Sequence, residues 1–135
     1  MDGDGPRRPP LSMTHFDTNF LIQATKAGSP AHIKFREWFA ANESFGVCTV
    51  AWAEYLCGPL DAAAEALARS IFSAPEMFIE PDAVLAARLF NQTGRRSRSL
   101  ADCMIAAVAI RCRAKLATIN AADFQPFTPH GLVLA

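Results

Sequence analysis

Four acids in this chain sit where acids are expensive: Asp17 in "HFDTNFLI", Glu54 in "TVAWAEYLC", Asp102 in "SLADCMIAAVAI" and Asp123 in "NAADF". Each lies in or beside an apolar run, and a carboxylate carried toward a core costs on the order of several kcal/mol unless it is paired, hydrogen-bonded or metal-bound. Glu54 is the only charge in its nine-residue stretch and has no basic neighbour in sequence to pair with. Carboxylates gathered together repel one another, which raises a pKa or loosens the site, and a divalent cation reverses that. A donor set of oxygens without Cys or His suits magnesium or manganese, which prefer octahedral oxygen ligands and keep several waters. Each acid taken singly also has a structural use. Asp17 can cap a helix N-terminus, Asp102 can complete a capping box with Ser99, Glu54 can be a partly exposed helical residue, and Asp123 can serve a turn.

The elements that must position them can be read from periodicity and punctuation. "THF" reads as the end of a buried strand leading into Asp17, and "TNFLIQATKAG" as a helical segment closed by Gly28. Ser29 and Pro30 start a second helix whose apolar face is Ile33, Phe35, Trp38 and Phe39. "FGVCTV" is a β-branched run of strand length that passes into the helical "AWAEYLCG", with Gly58 as its stop. Helices are expected from Leu60 to Phe72 and from Pro81 to Gln92, with "EMFIEP" between them as a strand and "TGRRSRS" after them as a basic loop. "SLADCMIAAVAIRCRA" is apolar on nearly every side and should be a central helix. "KLATI" reads as a strand, "NAADF" as a turn and "GLVLA" as a final edge strand. Strands alternating with helices give an α/β class with a parallel sheet covered on both faces. In such sheets ligand sites form beyond the carboxyl ends of the strands, and Asp17, Glu54 and Asp123 all follow strands closely.

Length and composition set the frame. At 135 residues with 51% hydrophobic content, the chain suits one domain with a substantial core. Its 13 basic residues cancel its 13 acidic ones, so nucleic-acid binding must come from local patches or metal ions. The four cysteines, Cys48, Cys57, Cys103 and Cys112, form no C-x-x-C pair and lie in apolar runs, where free cysteine packs as a small hydrophobe; a reducing cytoplasm fits them. No apolar run approaches the roughly 18 to 20 residues of a membrane span, and the N-terminus lacks the order of a signal peptide. "MDGDGPRRPPLS", residues 1–12, reads as a disordered extension or a cloning remnant ahead of a single domain, 13–135. His15 and His32 read as structural and His130 as a surface residue of "TPHG".

The four acids and their hydrophobic frames, "FDTNFLI", "TVAWAEYLCG", "SLADCMIAAVAI" and "LATINAADF", resemble in order and context the PIN-domain ribonucleases, in particular the VapC-type toxins of bacterial toxin–antitoxin pairs. The resemblance spans most of residues 14 to 124. It implies a PIN-like three-layer α/β/α fold with a central, mainly parallel sheet of four to five strands. It also implies a cytoplasmic, magnesium- or manganese-dependent endoribonuclease acting on structured RNA, often tRNA or ribosomal RNA, as a homodimer held inactive by a cognate antitoxin.

Carried over by position, Asp17 matches the first acid with Thr18 and Asn19 in a supporting D-T-N element, Glu54 the second and Asp102 the third. The fourth place falls on Asp123 or Asn120; we assign Asp123 as the acid and Asn120 as a neutral helper. Asp17 and Asp102 would be the principal metal ligands, with Glu54 and Asp123 completing the shell directly or through water. Hydrolysis by a metal-activated water would then leave a 5′-phosphate and a 3′-hydroxyl, with no catalytic histidine. Arg95, Arg96 and Arg98 in "GRRSRS" can bind RNA phosphates, or serve as a solvated or antitoxin-docking loop. Phe35, Trp38 and Phe39 can line an antitoxin groove, although their helical spacing favours core packing. Two competitors stand beside this reading. A haloacid-dehalogenase-type phosphatase would have a second acid where Asn19 stands; a PIN-like module that only binds RNA or protein would have no need of four mutually repelling acids.

Overall fold

The computed structural model describes residues 13–94 and 99–135. A four-stranded, wholly parallel sheet lies at its centre, in the order β2-β1-β3-β4. The strands are β1 (Met13–Phe16), β2 (Ser44–Gly46), β3 (Lys115–Ala117) and β4 (Val133–Leu134). Helices α1 (Thr18–Ala24), α2 (Pro30–Ala40), α3 (Thr49–Cys57), α4 (Ala62–Ile71), α5 (Glu80–Gln92), α6 (Ser99–Arg111) and α7 (Ala121–Phe124) connect them, and a 3₁₀ segment, Gln125–His130, precedes β4. Helices cover both faces of the sheet, which gives the three-layer α/β/α arrangement expected from the sequence.

One face is closed by aromatic packing. Phe16 on β1 is fully buried, and its ring meets those of Phe20 on α1, Phe35 on α2, Phe45 on β2 and Phe72 after α4 at centroid distances of 4.8 to 6.1 Å. Burying each such ring contributes about 1.5–3 kcal/mol, and the edge-on contacts fix orientation as well as area. α6 is the buried helix: Cys103, Ile105 and the run Ala106 to Ala109 are all inaccessible, which is why its sequence shows no polar face.

Several boundaries depart from the sequence expectation. "FGVCTV" does not remain a strand, because β2 ends at Gly46 and Cys48 becomes the N-cap of α3, its Sγ accepting from the Ala51 N–H at 3.5 Å. "EMFIEP" forms no strand. Glu76 makes one parallel bridge with Cys48, and the neighbouring donors go to side chains, Phe78 N–H to Thr49 Oγ1 at 3.0 Å and Ile79 N–H to Asp82 Oδ2 at 3.0 Å, so no ladder can continue. "NAADF" is helical as α7 instead of a plain turn. α1 stops at Ala24, where the Thr25 hydroxyl turns back onto the carbonyls of Leu21 and Ile22. The apolar face expected of α2 is divided: Phe35 is buried and Trp38 stacks on Phe20, whereas Ile33 and Phe39 are exposed. Cys48 and Cys103 are buried as expected, but Cys57 is exposed on α3. The expected 1–12 extension and the loop arginines Arg95, Arg96 and Arg98 lie outside the described residues.

Candidate metal centre

β1 and β3 run side by side with Phe16 opposite Ala117, and the Asp17 N–H extends this pairing by donating to the Ala117 carbonyl at 3.1 Å. The chain then turns directly into α1. Asp17 caps that helix, Oδ1 accepting the Phe20 N–H at 2.7 Å, and its residue is only 4% exposed. Capping and chemistry do not exclude each other here, since the cap engages one carboxylate oxygen and the residue follows the last residue of β1, at the carboxyl end of the sheet.

Burial raises the Asp17 pKa above the ordinary carboxylate value, and the negative charges of Glu54 and Asp123 push it further the same way. The Thr118 hydroxyl and the Phe20 N–H oppose this by hydrogen-bonding the ionised form. The second and fourth expected acids therefore act on the first through space, although they stand 37 and 106 residues from it along the chain. Glu54 is exposed on α3, and its Oε1 accepts a 2.6 Å hydrogen bond from Thr18, the residue after Asp17. Asp123 is exposed in the single turn of α7, and Asp102 is half-buried in the first turn of α6. Asp17, Asp102 and Asp123 thus all stand at the cap or in the first turn of a helix.

Among the described residues, no three His, Cys, Asp or Glu side chains stand close enough together to hold a metal ion as placed. The donor chemistry nonetheless fits a hard divalent cation: the groups are all carboxylates, and a cation would relieve the like-charge repulsion felt at Asp17. Glu54 and Asp123, being exposed, are the side chains with room to turn inward.

The supporting residues divide. Thr18 holds Glu54 as described, whereas Asn19 is exposed on α1. Asn120 precedes α7, is exposed, and gives its backbone N–H to Thr118 Oγ1 at 2.9 Å. Thr118 was not among the sequence candidates. Its hydroxyl both meets the Asp17 carboxylate and holds the turn that leads to Asp123. The signal for it was a hydroxyl residue at the end of "KLAT" two places before Asn120, the spacing at which Thr bonds a backbone amide ahead of it.

The histidines are as the sequence suggested. His15 is buried on β1 with its pKa lowered by burial, His32 Nδ1 bonds the Ala24 carbonyl at 2.7 Å, and His130 is exposed.

Residues 15–125 match the family model of the PIN domain. The chain belongs to the PIN domain family. Solved structures share the fold of this PIN domain: VapBC2 from Rickettsia felis bound to a DNA fragment from their promoter, at 19% identity and a TM-score of 0.68, covering 91% of this chain and 97% of that one. FitAcB from Neisseria gonorrhoeae gives the same identity, TM-score and coverage. A toxin–antitoxin complex from Klebsiella pneumoniae is 24% identical with a TM-score of 0.64, covering 82% of this chain and 89% of the other. No curated protein matches the chain.

Proposed function

We propose that this PIN domain is the toxin of a VapBC-type pair, a magnesium- or manganese-dependent endoribonuclease that hydrolyses phosphodiester bonds in tRNA or ribosomal RNA. The observation that carries the reading is the buried Asp17 carboxylate at the end of β1, raised in pKa by burial and by Glu54 and Asp123. Family membership and the likeness to toxin–antitoxin complexes support it.

Asp17, Glu54, Asp102 and Asp123 would hold the ion. When bound, it would supply an activated water and neutralise charge on the scissile phosphate. The chain's own residues prepare that site. Thr118 and Phe20 N–H fix the Asp17 carboxylate, and Thr18 keeps Glu54 close to the same rim. Arg95, Arg96 and Arg98 would supply phosphate-binding charge that the net balance of the chain lacks. A cognate antitoxin would lay an apolar segment into the cleft of about 720 Å³ between α2 and α4, lined by Phe35, Phe39, Leu67 and Ile71. The protein would work in the cytoplasm as a homodimer.

One alternative is a PIN fold used only to bind RNA or protein. Incubating wild type and Asp17→Asn with total RNA and Mg²⁺ separates the two. The toxin reading expects cleavage by wild type alone, with 5′-phosphate ends. Equal cleavage by both proteins removes the metal site, and RNA retained uncut by wild type supports the binding module.

A further inference from the structure

A second group of charges lies away from the four acids. Arg111, in the last turn of α6, forks onto Asp82 with Nε–Oδ1 at 2.8 Å and Nη2–Oδ2 at 3.1 Å. The same Nη2 reaches Glu76 Oε2 at 3.2 Å and the Met77 carbonyl at 3.1 Å. Asp82 is 1% exposed and also accepts the Ile79 N–H, so its charge is fully engaged. The Asp82 and Glu76 carboxylates hold the Arg111 guanidinium protonated still more firmly than usual.

The segment these groups seize, residues 76–82, is bonded at its other edge to the start of α3. Glu76 N–H donates to the Val47 carbonyl at 2.8 Å, Thr49 N–H donates to the Glu76 carbonyl at 2.8 Å, and Phe78 N–H donates to Thr49 Oγ1. The 76–82 segment is therefore a strap with α3 on one side and α6 on the other. Glu54 rides on α3 and Asp102 on α6.

We propose that Arg111 is a positioning residue for the metal centre: by clamping the strap to α6 it sets the spacing of α3 and α6, and with it the approach of Glu54 to Asp102. The proposal rests on the metal-dependent reading above. The fork matters more than the charge, because two parallel N–H bonds fix direction as well as distance. Removing Arg111 alone also leaves Asp82 buried and uncompensated, which destabilises, whereas removing both charges restores stability without restoring the clamp.

The test compares wild type with Arg111→Met, Arg111→Lys, the paired Asp82→Asn/Arg111→Met, and Arg88→Met as a matched loss of an exposed arginine on α5. Mn²⁺ affinity is measured by electron paramagnetic resonance of the free ion at a temperature where circular dichroism shows each full chain folded, and the thermal midpoint is recorded separately. Arg111→Met should bind Mn²⁺ about tenfold more weakly, with Arg88→Met unchanged. In the paired variant the midpoint should recover while the affinity stays low. If Arg111→Met does not fold, Arg111→Lys carries the comparison with a weakening of the same sign. Affinity that tracks the midpoint across the set, or clamp variants that bind like wild type, would overturn the proposal alone. A wild type that binds no Mn²⁺ would overturn the metal reading itself and the clamp with it.

Discussion

Asp17 carries two demands that pull against each other. Burial and its acidic neighbours raise its pKa, so the native protein holds that proton more tightly than the unfolded chain does. Its contribution to stability is then full below the ordinary carboxylate range and is lost as pH rises through the raised value. Asn cannot ionise and caps a helix about as well as Asp. Asp17→Asn should therefore melt a few degrees above wild type in EDTA at neutral pH, with a flatter dependence on pH, while Mg²⁺-dependent cleavage falls at least about a hundredfold. A variant that melts lower in EDTA would show the ionised carboxylate to be stabilising instead. Thr118→Val removes a hydroxyl that serves Asp17 and Asn120 together, at a cost of about 1 kcal/mol measured by urea unfolding. Thr118→Ser should regain most of it. At this scale the burial of Asp17 was legible because a charge in an apolar frame is conspicuous. Thr118 was not, since its partner lies 101 residues away and hydroxyls at strand ends are common.

Two helices declared themselves through caps, Asp17 and Ser29, each accepting an N–H three residues on. Asp61 caps α4 in the same way, and that helix begins at Ala62, two residues after the expected start at Leu60. Strands were harder, because strand length depends on which backbone donors side chains have already taken. Thr49 and Asp82 take them at residues 78 and 79, and no local pattern announces that. β2 has its own constraint at Gly46, where an added Cβ would sit 2.8 Å from the ring of His15, a residue only 2% exposed. The buried ring must shift to admit it, so Gly46→Ala should cost about 1–3 kcal/mol by chemical denaturation. A change below roughly 0.5 kcal/mol would mean that β2 slides along β1.

For the whole molecule, the neutral charge balance offers no general attraction to nucleic acid, and it leaves recognition to local features. Phe39 is 66% exposed at the edge of the cleft between α2 and α4. If that cleft receives an antitoxin, Phe39→Asp should weaken a co-expressed complex by about tenfold or more, read by titration calorimetry, and leave the melting midpoint near wild type. Undiminished affinity would move the antitoxin to another surface.

The sheet closes with β2 of three residues on one flank and β4 of two on the other. Margins this brief present too little unpaired backbone for a visiting strand to zip onto. An antitoxin of this PIN domain is then expected to grip side chains on its helical exterior. Such unions are sensitive to single apolar truncations and resist the runaway stacking by which longer sheets polymerise.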